Sequence, residues 1–398
     1  MSEEARHTMH TTRYLIVGGG LTADAACKGI RDVDAEGHIT VVAAEAHPPY
    51  ARPPLSKALW KDSDESSIWR GTEKLGVELR LVRRIATLDP TEHRATDDQG
   101  EVYAYERLLL ATGGRPRQLP FGAGEVIYYR TLDDYRRLRA LAAADARFVV
   151  IGGGFIGSEI AAALAMNGRP VTMVFPEPGI GARIFPPDLS AFVTDYYRAR
   201  DVEVLSGASV AAIGRVGDTV HVTTGDGRVL ETDAVVAGLG LTPSTELAEA
   251  AGLVVSDGIV VDDRGRVAGS HDVFAAGDVA RFPVAALGGT MRVEHEDHAK
   301  SHGKRVGANM AGADEPYDHL PFFYSDLFEL GYEAVGELDS RLRTTADWTH
   351  VGGAGTVYYL DDAGRPRGVL LWNLFGRVDT ARDLIRAAMP IQPEELVG

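Results

Sequence analysis

Two stretches of the chain pair glycines with a carboxylate in a pattern that suits a nucleotide diphosphate. In residues 147–177, RFVVIGGGFIGSEIAAALAMNGRPVTMVFPE, Gly152, Gly154 and Gly157 stand in G-x-G-x-x-G spacing, and Glu177 follows the next apolar run. Residues 13–45 repeat the arrangement with Gly18, Gly20, Ala23 and Glu45, and alanine is tolerated at the third position. The glycines let the backbone turn tightly and approach a pyrophosphate at a helix N-terminus, where unsatisfied N–H groups and the helix dipole favour an anion. The acid accepts a hydrogen bond from a ribose hydroxyl. One such turn is weak evidence, because glycine-rich loops are common. Two copies imply two dinucleotides, and an enzyme holding FAD together with a nicotinamide nucleotide is the simplest reason to need both.

Each turn requires a strand to deliver it and a helix to receive the phosphates. The apolar runs 14–17 and 148–151 predict those strands, 39–42 and 171–175 predict the strands that end near the acids, and alanine-rich helices lie between. Residues 107–114 and 233–240, the latter reading DAVVAGLG and ending at Gly240, match each other as closing strands, the mark of an internal duplication. Helices are expected at 131–143 and 187–198, with short strands at 77–81, 85–88, 106–111, 202–205, 209–213, 219–223, 229–232 and 259–261. From 319 onward the texture changes. Aromatic-rich strands at 322–325, 332–337, 357–360 and 368–374 and a helix at 380–388 predict a separate α+β module without a nucleotide fingerprint. The expected fold class is therefore α/β, with two Rossmann-like dinucleotide-binding domains, for FAD and NAD, plus a C-terminal α+β domain.

Several other residues carry candidate chemistry. In HPPYARPPLSKALW (47–60) the prolines hold the backbone extended, and Ser56 is placed to cap a helix beginning at Lys57. On spacing alone Arg52 and Lys57 read as solvated surface charge. Asp278, at the end of the apolar strand in HDVFAAGDVARF, is placed either to accept from sugar hydroxyls or to cap the following helix. His295, His298 and His302 fall at i, i+3 and i+7, with Glu294 beside them. Histidines at this spacing often line a face and no second ligand cluster accompanies them, so no metal is expected. Glu159 falls in the first turn of its helix, where the dipole favours a carboxylate whatever its function. Glu177 at the ribose repels a 2′-phosphate and favours NADH over NADPH, with Arg183 six residues on as the countervailing charge.

Composition narrows the function. The 398 residues are 25% charged and 45% hydrophobic, values of a globular protein long enough for two or three domains. The formal net charge of −16 argues against nucleic-acid binding. The one stretch of membrane-span length, 148–166, carries glycines and Glu159 and belongs to the second nucleotide turn, so no membrane span is expected. The opening residues MSEEARHTMHTT resemble neither a secretory nor a transit peptide, and a cytoplasmic location is expected. Cys27 is the single cysteine. No intramolecular disulfide can form, and peroxidase and disulfide-reductase chemistry lack their redox pair. A small buried core residue is the favoured reading of Cys27, ahead of a reactive thiol.

The set PPYARPPLSKALW, LLLATGGRP, IGGGFIGSE, VFAAGDVA, RVEHEDHA, FYSDL, GYEAVGELD and GVLLWNLFGR resembles the flavoprotein group of bacterial ferredoxin reductases and apoptosis-inducing factor, with the last four motifs nearer to the latter branch. The likeness runs from about residue 13 to 388. It implies an FAD domain at 1–120 and 248–318, an NADH domain at 121–247 and a C-terminal domain at 319–398. It also implies that Glu45 holds the FAD adenosine ribose, Arg52 and Lys57 face the cofactor, Ile85 contacts the adenine, Thr112 lines the turn near FAD and Asp278 binds the ribityl chain. Phe155 would stack beside the nicotinamide, Glu159 would pair with Lys57, and His295 and Tyr324 would border the isoalloxazine. Glu294 and Gly240 join the cofactor-binding candidates, and Lys57, Phe155, Glu159 and His295 form the catalytic set. Tyr324 departs from the tryptophan common in these families.

The activity so implied is hydride transfer from NADH to FAD and onward electron transfer to an acceptor such as a ferredoxin-type iron–sulfur protein or a quinone. The alternative is a redox-responsive NADH-binding flavoprotein of slow turnover, whose output is a charge-transfer complex and dimerisation, as a homodimer, or partner binding. The C-terminal insertion of the eukaryotic relatives is absent, so a death-signalling role is not carried over.

Overall fold

The computed structural model describes residues 8–391. The chain divides into two compact units: residues up to Ala51 with Ser66–Arg115 and Pro243–Pro321, and Arg52–Glu65 with Pro116–Thr242 and the chain from Phe322.

The first unit is built on a seven-stranded sheet. Its order is Glu78–Arg80, Ile39–Val42, Met9–Val17, Val102–Leu110, Arg94–Asp97, Ile85–Asp89, and Val273–Ala275 also pairs with Val102–Leu110. The central strand pairs parallel on both sides, Leu15 opposite Thr40 on one and Leu108 on the other. Tyr14–Val17 is buried without alternation, as expected of a parallel strand covered on both faces. One covering layer is the helix Leu21–Val33, packed against the helix Glu296–Met310. Small residues set that spacing. A Cβ on Gly303 would stand 2.6 Å from the Thr22 carbonyl oxygen, and one on Gly307 2.2 Å from that of Ala26. Cys27 is fully buried in this layer, and burial pushes its thiol up to about 12, so it is a core residue rather than a nucleophile.

The second unit repeats the plan with a five-stranded parallel sheet ordered Val202–Ser206, Val171–Phe175, Phe148–Ile151, Ala234–Ala237, Val126–Tyr128. In both units the matching closing strand lies directly beside the strand that feeds the glycine turn, as duplication requires. A three-stranded antiparallel sheet (Val210–Val216, Thr219–Thr224, Val229–Thr232) is inserted in sequence between the parallel strands Val202–Ser206 and Ala234–Ala237. The chain after Phe322 forms a five-stranded antiparallel sheet ordered Phe322–Leu327, Leu330–Gly336, Pro366–Trp372, Gly355–Leu360, Arg343–Trp348. Its core is aromatic, with Tyr332 stacked on Trp372 at 5.9 Å and Phe185 edge-on to both. The helix Val378–Ala387 covers it through Ala381 and Ile385. The class of fold is thus the one expected, two Rossmann-like arrangements and a C-terminal α+β layer.

Three local expectations differ. Residues 53–60 form two short 3-10 turns, Pro53–Ser56 and Ala58–Trp60, rather than a helix from Lys57, and Ser56 spends its hydroxyl on Glu159 instead of a cap. The backbone at Lys57, φ −128° and ψ −96°, is not helical and separates the two turns. Glu159 lies one turn deeper than its sequence position suggested, because the helix starts at Phe155 and its first turn holds no acid. The edge strand Arg343–Trp348 was not foreseen, since its residues are half-exposed to exposed and carry little apolar alternation.

Candidate active site

At the first turn the strand Met9–Val17 delivers Gly18 at φ +122°, where a Cβ would stand 2.1 Å from the Ala111 carbonyl oxygen. That closeness lets the Ala111 N–H donate to the Val17 carbonyl at 2.8 Å and seals the two strand ends together. Gly20 is the N-cap of Leu21–Val33, makes no side-chain cap, and has nothing within 4 Å of where a Cβ would be. The helix therefore opens without a capping side chain and with room for a close approach at Gly20, as phosphate binding at a helix N-terminus requires. Ala23 is fully buried and packs the helix onto the sheet.

Around this turn the other candidates of the first unit take their places. The Tyr50 hydroxyl donates to Glu45 Oε2 at 2.6 Å and orients that carboxylate, a role that no sequence pattern announced. Ile85 is buried at a strand start. Thr112 Oγ1 donates to the Ser244 carbonyl at 2.8 Å and ties down the turn after Leu110. Gly277 holds φ +74°, and a Cβ there would meet Thr22 Oγ1 at 2.1 Å, so the Gly277–Asp278 turn sits directly against the first helix. Asp278 lies in a three-residue 3-10 turn, not at the cap of a full helix. His295 is the N-cap position of Glu296–Met310, and burial pushes its imidazolium down to about 4 against the pull of Asp278 and Asp297. It is neutral at pH 7, a hydrogen-bonding group rather than a charge. Glu294 accepts from Arg292 Nη1 at 2.6 Å.

His298 and His302 face inward and are fully buried, rings 4.7 Å apart, with His298 stacked on Phe282. Among the described residues no group of three or more His, Cys, Asp or Glu side chains converges as a metal would need. His302 Nδ1 accepts the Gly277 N–H at 3.4 Å, and burial pushes its imidazolium down to about 3. Its ordinary value near 6.5 is regained in the unfolded chain, which binds the proton while the fold does not. Stability is therefore unaffected above pH 6.5 and falls as pH drops from 6.5 towards 3, by about 1.4 kcal/mol per pH unit. His302→Asn, which keeps an acceptor near the Nδ1 position, is expected to remove about 2 kcal/mol of the stability lost between pH 7 and pH 5. Urea unfolding at the two pH values checks this, and an unchanged loss would rule His302 out as its source.

The second turn has the same construction. Gly152 holds φ +111° with a Cβ position 2.4 Å from the Gly238 carbonyl oxygen, and a Cβ on Gly157 would stand 2.0 Å from that of Gly152. Gly154 is an N-cap without a side-chain cap and with open space around its Cα. Glu177 follows the strand Val171–Phe175 and is held by Arg183, Nε to Oε1 at 2.8 Å. Gly240 holds φ +79°, and its carbonyl accepts from Arg117 N at 3.0 Å.

The remaining candidates of the second unit gather on the helix Phe155–Met166. Lys57 Nζ lies 2.6 Å from Glu159 Oε1, and the Glu159 side chain is 3% exposed. Ser325 Oγ donates to the same oxygen at 2.6 Å and Ser56 Oγ to Oε2 at 2.5 Å. The ammonium of Lys57 stands 5.3 Å from the Tyr324 ring centroid, a cation–π arrangement. Phe155, one helical turn before Glu159, packs edge-on to Phe323 at 5.2 Å. Arg52 Nη1 donates to the Arg130 carbonyl at 2.9 Å. Lys57 is thus no solvated surface charge. Sequence reasoning missed Ser56 and Ser325 as partners of Glu159, although both stand inside the motifs PPLSKALW and FYSDL.

Both turns have the build a dinucleotide needs, and the class so defined is an FAD-dependent NAD(P)H oxidoreductase. Residues 12–303 match the family model described as pyridine nucleotide-disulphide oxidoreductase, and residues 306–354 match the C-terminal model of mitochondrion-associated apoptosis-inducing factor. Over 97% of the chain and 80% of the relative, it is 33% identical to apoptosis-inducing factor 1, mitochondrial, of Dictyostelium discoideum. It is 34% identical to the ferredoxin–NAD(+) reductase component of the anthranilate 1,2-dioxygenase system of Burkholderia cepacia, over 98% of the chain and 97% of the relative. Among solved structures, putidaredoxin reductase in its covalent complex with putidaredoxin superposes with a TM-score of 0.90 at 31% identity, covering 97% of this chain and 95% of that one. The chain belongs to the pyridine nucleotide-disulphide oxidoreductase family and is an FAD-dependent NAD(P)H oxidoreductase. With one cysteine, buried, it lacks the pair of cysteines that a redox disulfide needs. No described helix is long and apolar enough to cross a membrane.

Proposed function

We propose that this oxidoreductase takes hydride from NADH and passes electrons to a ferredoxin-type iron–sulfur protein. The observation that carries the reading is the Lys57–Glu159 pair, a cation held by a buried carboxylate under an exposed aromatic ring, on the helix that opens at the second glycine turn. FAD supplies the two-electron acceptor that can return electrons to a partner. The FAD domain is 1–120 with 248–318, the NADH domain 121–247, and 319–398 the C-terminal domain. Gly18, Gly20, Ala23, Glu45, Ile85, Thr112, Asp278, Glu294 and His295 bind FAD; Gly152, Gly154, Gly157, Glu177 and Gly240 bind NADH. Arg52, Lys57 and Tyr324 face the flavin. Phe155 closes the nicotinamide pocket against water, and Lys57 brings positive charge to the ring that receives the hydride.

Glu177 repels a 2′-phosphate, and Arg183, spent on Glu177, is not offered to one. NADH is expected to exceed NADPH in kcat/KM by about 10–100-fold, and Glu177→Ser, which also releases Arg183, to narrow the gap. Steady-state kinetics with both nucleotides check this. NADPH used equally well by the unaltered chain would overturn it.

The ferredoxin-type acceptor draws support from the resemblance to the Burkholderia cepacia component and to putidaredoxin reductase. The match of residues 306–354 to the apoptosis-inducing-factor C-terminal model favours a second reading, a slow redox-responsive flavoprotein whose output is homodimer formation or partner binding. Anaerobic reduction with NADH followed by admission of a ferredoxin, a quinone or air separates them. Fast turnover with ferredoxin supports the reductase. A persistent long-wavelength band with slow reoxidation in every acceptor would contradict it and support the second reading.

A further inference from the structure

Glu159 ties two distant segments, 56–57 and the strand Phe322–Leu327, to its own helix through one charged and two hydroxyl donors at 2.5–2.6 Å. Lys57 and Ser325 share Oε1 and Ser56 takes Oε2. The Ser56 hydroxyl has one proton and two acceptors in reach, Glu159 at 2.5 Å and the Pro53 carbonyl at 3.4 Å, so the proton goes to the carboxylate. Both serines are buried, Ser325 to 1% exposure.

The placing of these donors in the chain is as telling as their geometry. Ser56 immediately precedes Lys57, and Ser325 immediately follows Tyr324. Along the strand Phe322–Leu327 side chains alternate, so seating Ser325 inward turns Tyr324 outward, where it is 38% exposed and over the Lys57 ammonium. Phe155 and Glu159 are four apart on one helix and share a face. One carboxylate therefore registers the nicotinamide-facing Phe155, the cation Lys57 and the ring of Tyr324 to one another.

We infer that Ser56 and Ser325 are positioning residues for hydride transfer, holding Glu159 as the fixed acceptor from which Lys57 and Tyr324 take their places. The inference rests on the reading of Lys57 as a flavin-facing residue. Without the hydroxyls, Glu159 keeps one donor of three, and the long Lys57 side chain regains rotamer freedom that the clamp denies it.

The test uses the full chain. With FAD bound, Ser56→Ala and Ser325→Ala are each expected to slow flavin reduction by NADH about tenfold, the two together about a hundredfold, while Ser→Thr at either position restores the rate. In a Glu159→Gln background the alanine changes are expected to add less than about twofold, since their target is gone. Without FAD, acylation of Lys57 by an amine-reactive ester, followed by mass spectrometry, is expected to run about tenfold faster in the alanine variants, and the single variants supply both readouts where the double variant does not fold. Unchanged reduction in the alanine variants, unchanged Lys57 labelling, or equal slowing with and without Glu159 would overturn the inference. If Lys57→Met leaves the reduction rate intact while labelling still accelerates, the clamp stands as a device of the fold, and the flavin-facing reading and the role in hydride transfer fall together.

Discussion

Lys57→Met is expected to slow anaerobic reduction of the bound flavin by NADH about a hundredfold, with the flavin still bound. The change removes the charge that Glu159 is buried to hold, and losing one preorganised electrostatic group beside a reacting centre costs about 10²–10³ in rate. It also strands a carboxylate that is 3% exposed, so the single variant loses stability, about 3–5 kcal/mol by the usual cost of orphaning a buried ion. The two effects separate in Lys57→Met/Glu159→Gln, which is expected to recover much of the stability and none of the rate. Stopped-flow reduction beside urea unfolding checks both, and a full rate in the single variant would remove Lys57 from the chemistry.

A second large effect divides the cofactors between the two turns. Gly157→Ala puts a Cβ 2.0 Å from the Gly152 carbonyl oxygen, and Gly18→Ala puts one 2.1 Å from that of Ala111 at a φ of +122° that alanine resists. Backbone cannot yield as a flexible side chain does, and overpacking of this kind costs about 1–3 kcal/mol locally, up to a hundredfold in affinity. Gly157→Ala is expected to stay yellow and to be reduced normally by dithionite, while its NADH dissociation constant rises about a hundredfold. Gly18→Ala is expected to purify with little FAD. The reverse pattern, FAD lost from Gly157→Ala and kept by Gly18→Ala, would exchange the two assignments.

The sequence made the nucleotide turns legible because their requirements are local. A strand, three small residues and an acid follow each other within one βαβ unit, and the backbone at Gly18 and Gly152, with positive φ and a carbonyl oxygen against the Cβ position, needs glycine in place. The duplication extended that reading to the closing strands. What lay hidden depended on partners far apart in the chain. Nothing near Glu45 announces that the Tyr50 hydroxyl would orient it, and nothing near Glu159 announces Ser325, 166 positions away. On spacing alone Lys57 reads as surface charge for the same reason, since its carboxylate partner is 102 residues on, and it is the family resemblance that pairs it with Glu159. Ser56 reads locally as a cap, whereas the chain leaves helical geometry at Lys57 and the hydroxyl goes to a long-range bond with Glu159. The edge strand Arg343–Trp348 escaped because an exposed strand needs no apolar alternation.

The central claim is that this chain binds FAD and reduces it with NADH. Anaerobic NADH titration of the full chain, reconstituted with FAD and freed of excess, tests it most directly. The yellow band is expected to bleach to completion with one equivalent of NADH per bound flavin. A chain that retains no flavin, or a bound flavin that NADH leaves oxidised while dithionite reduces it, would contradict the account.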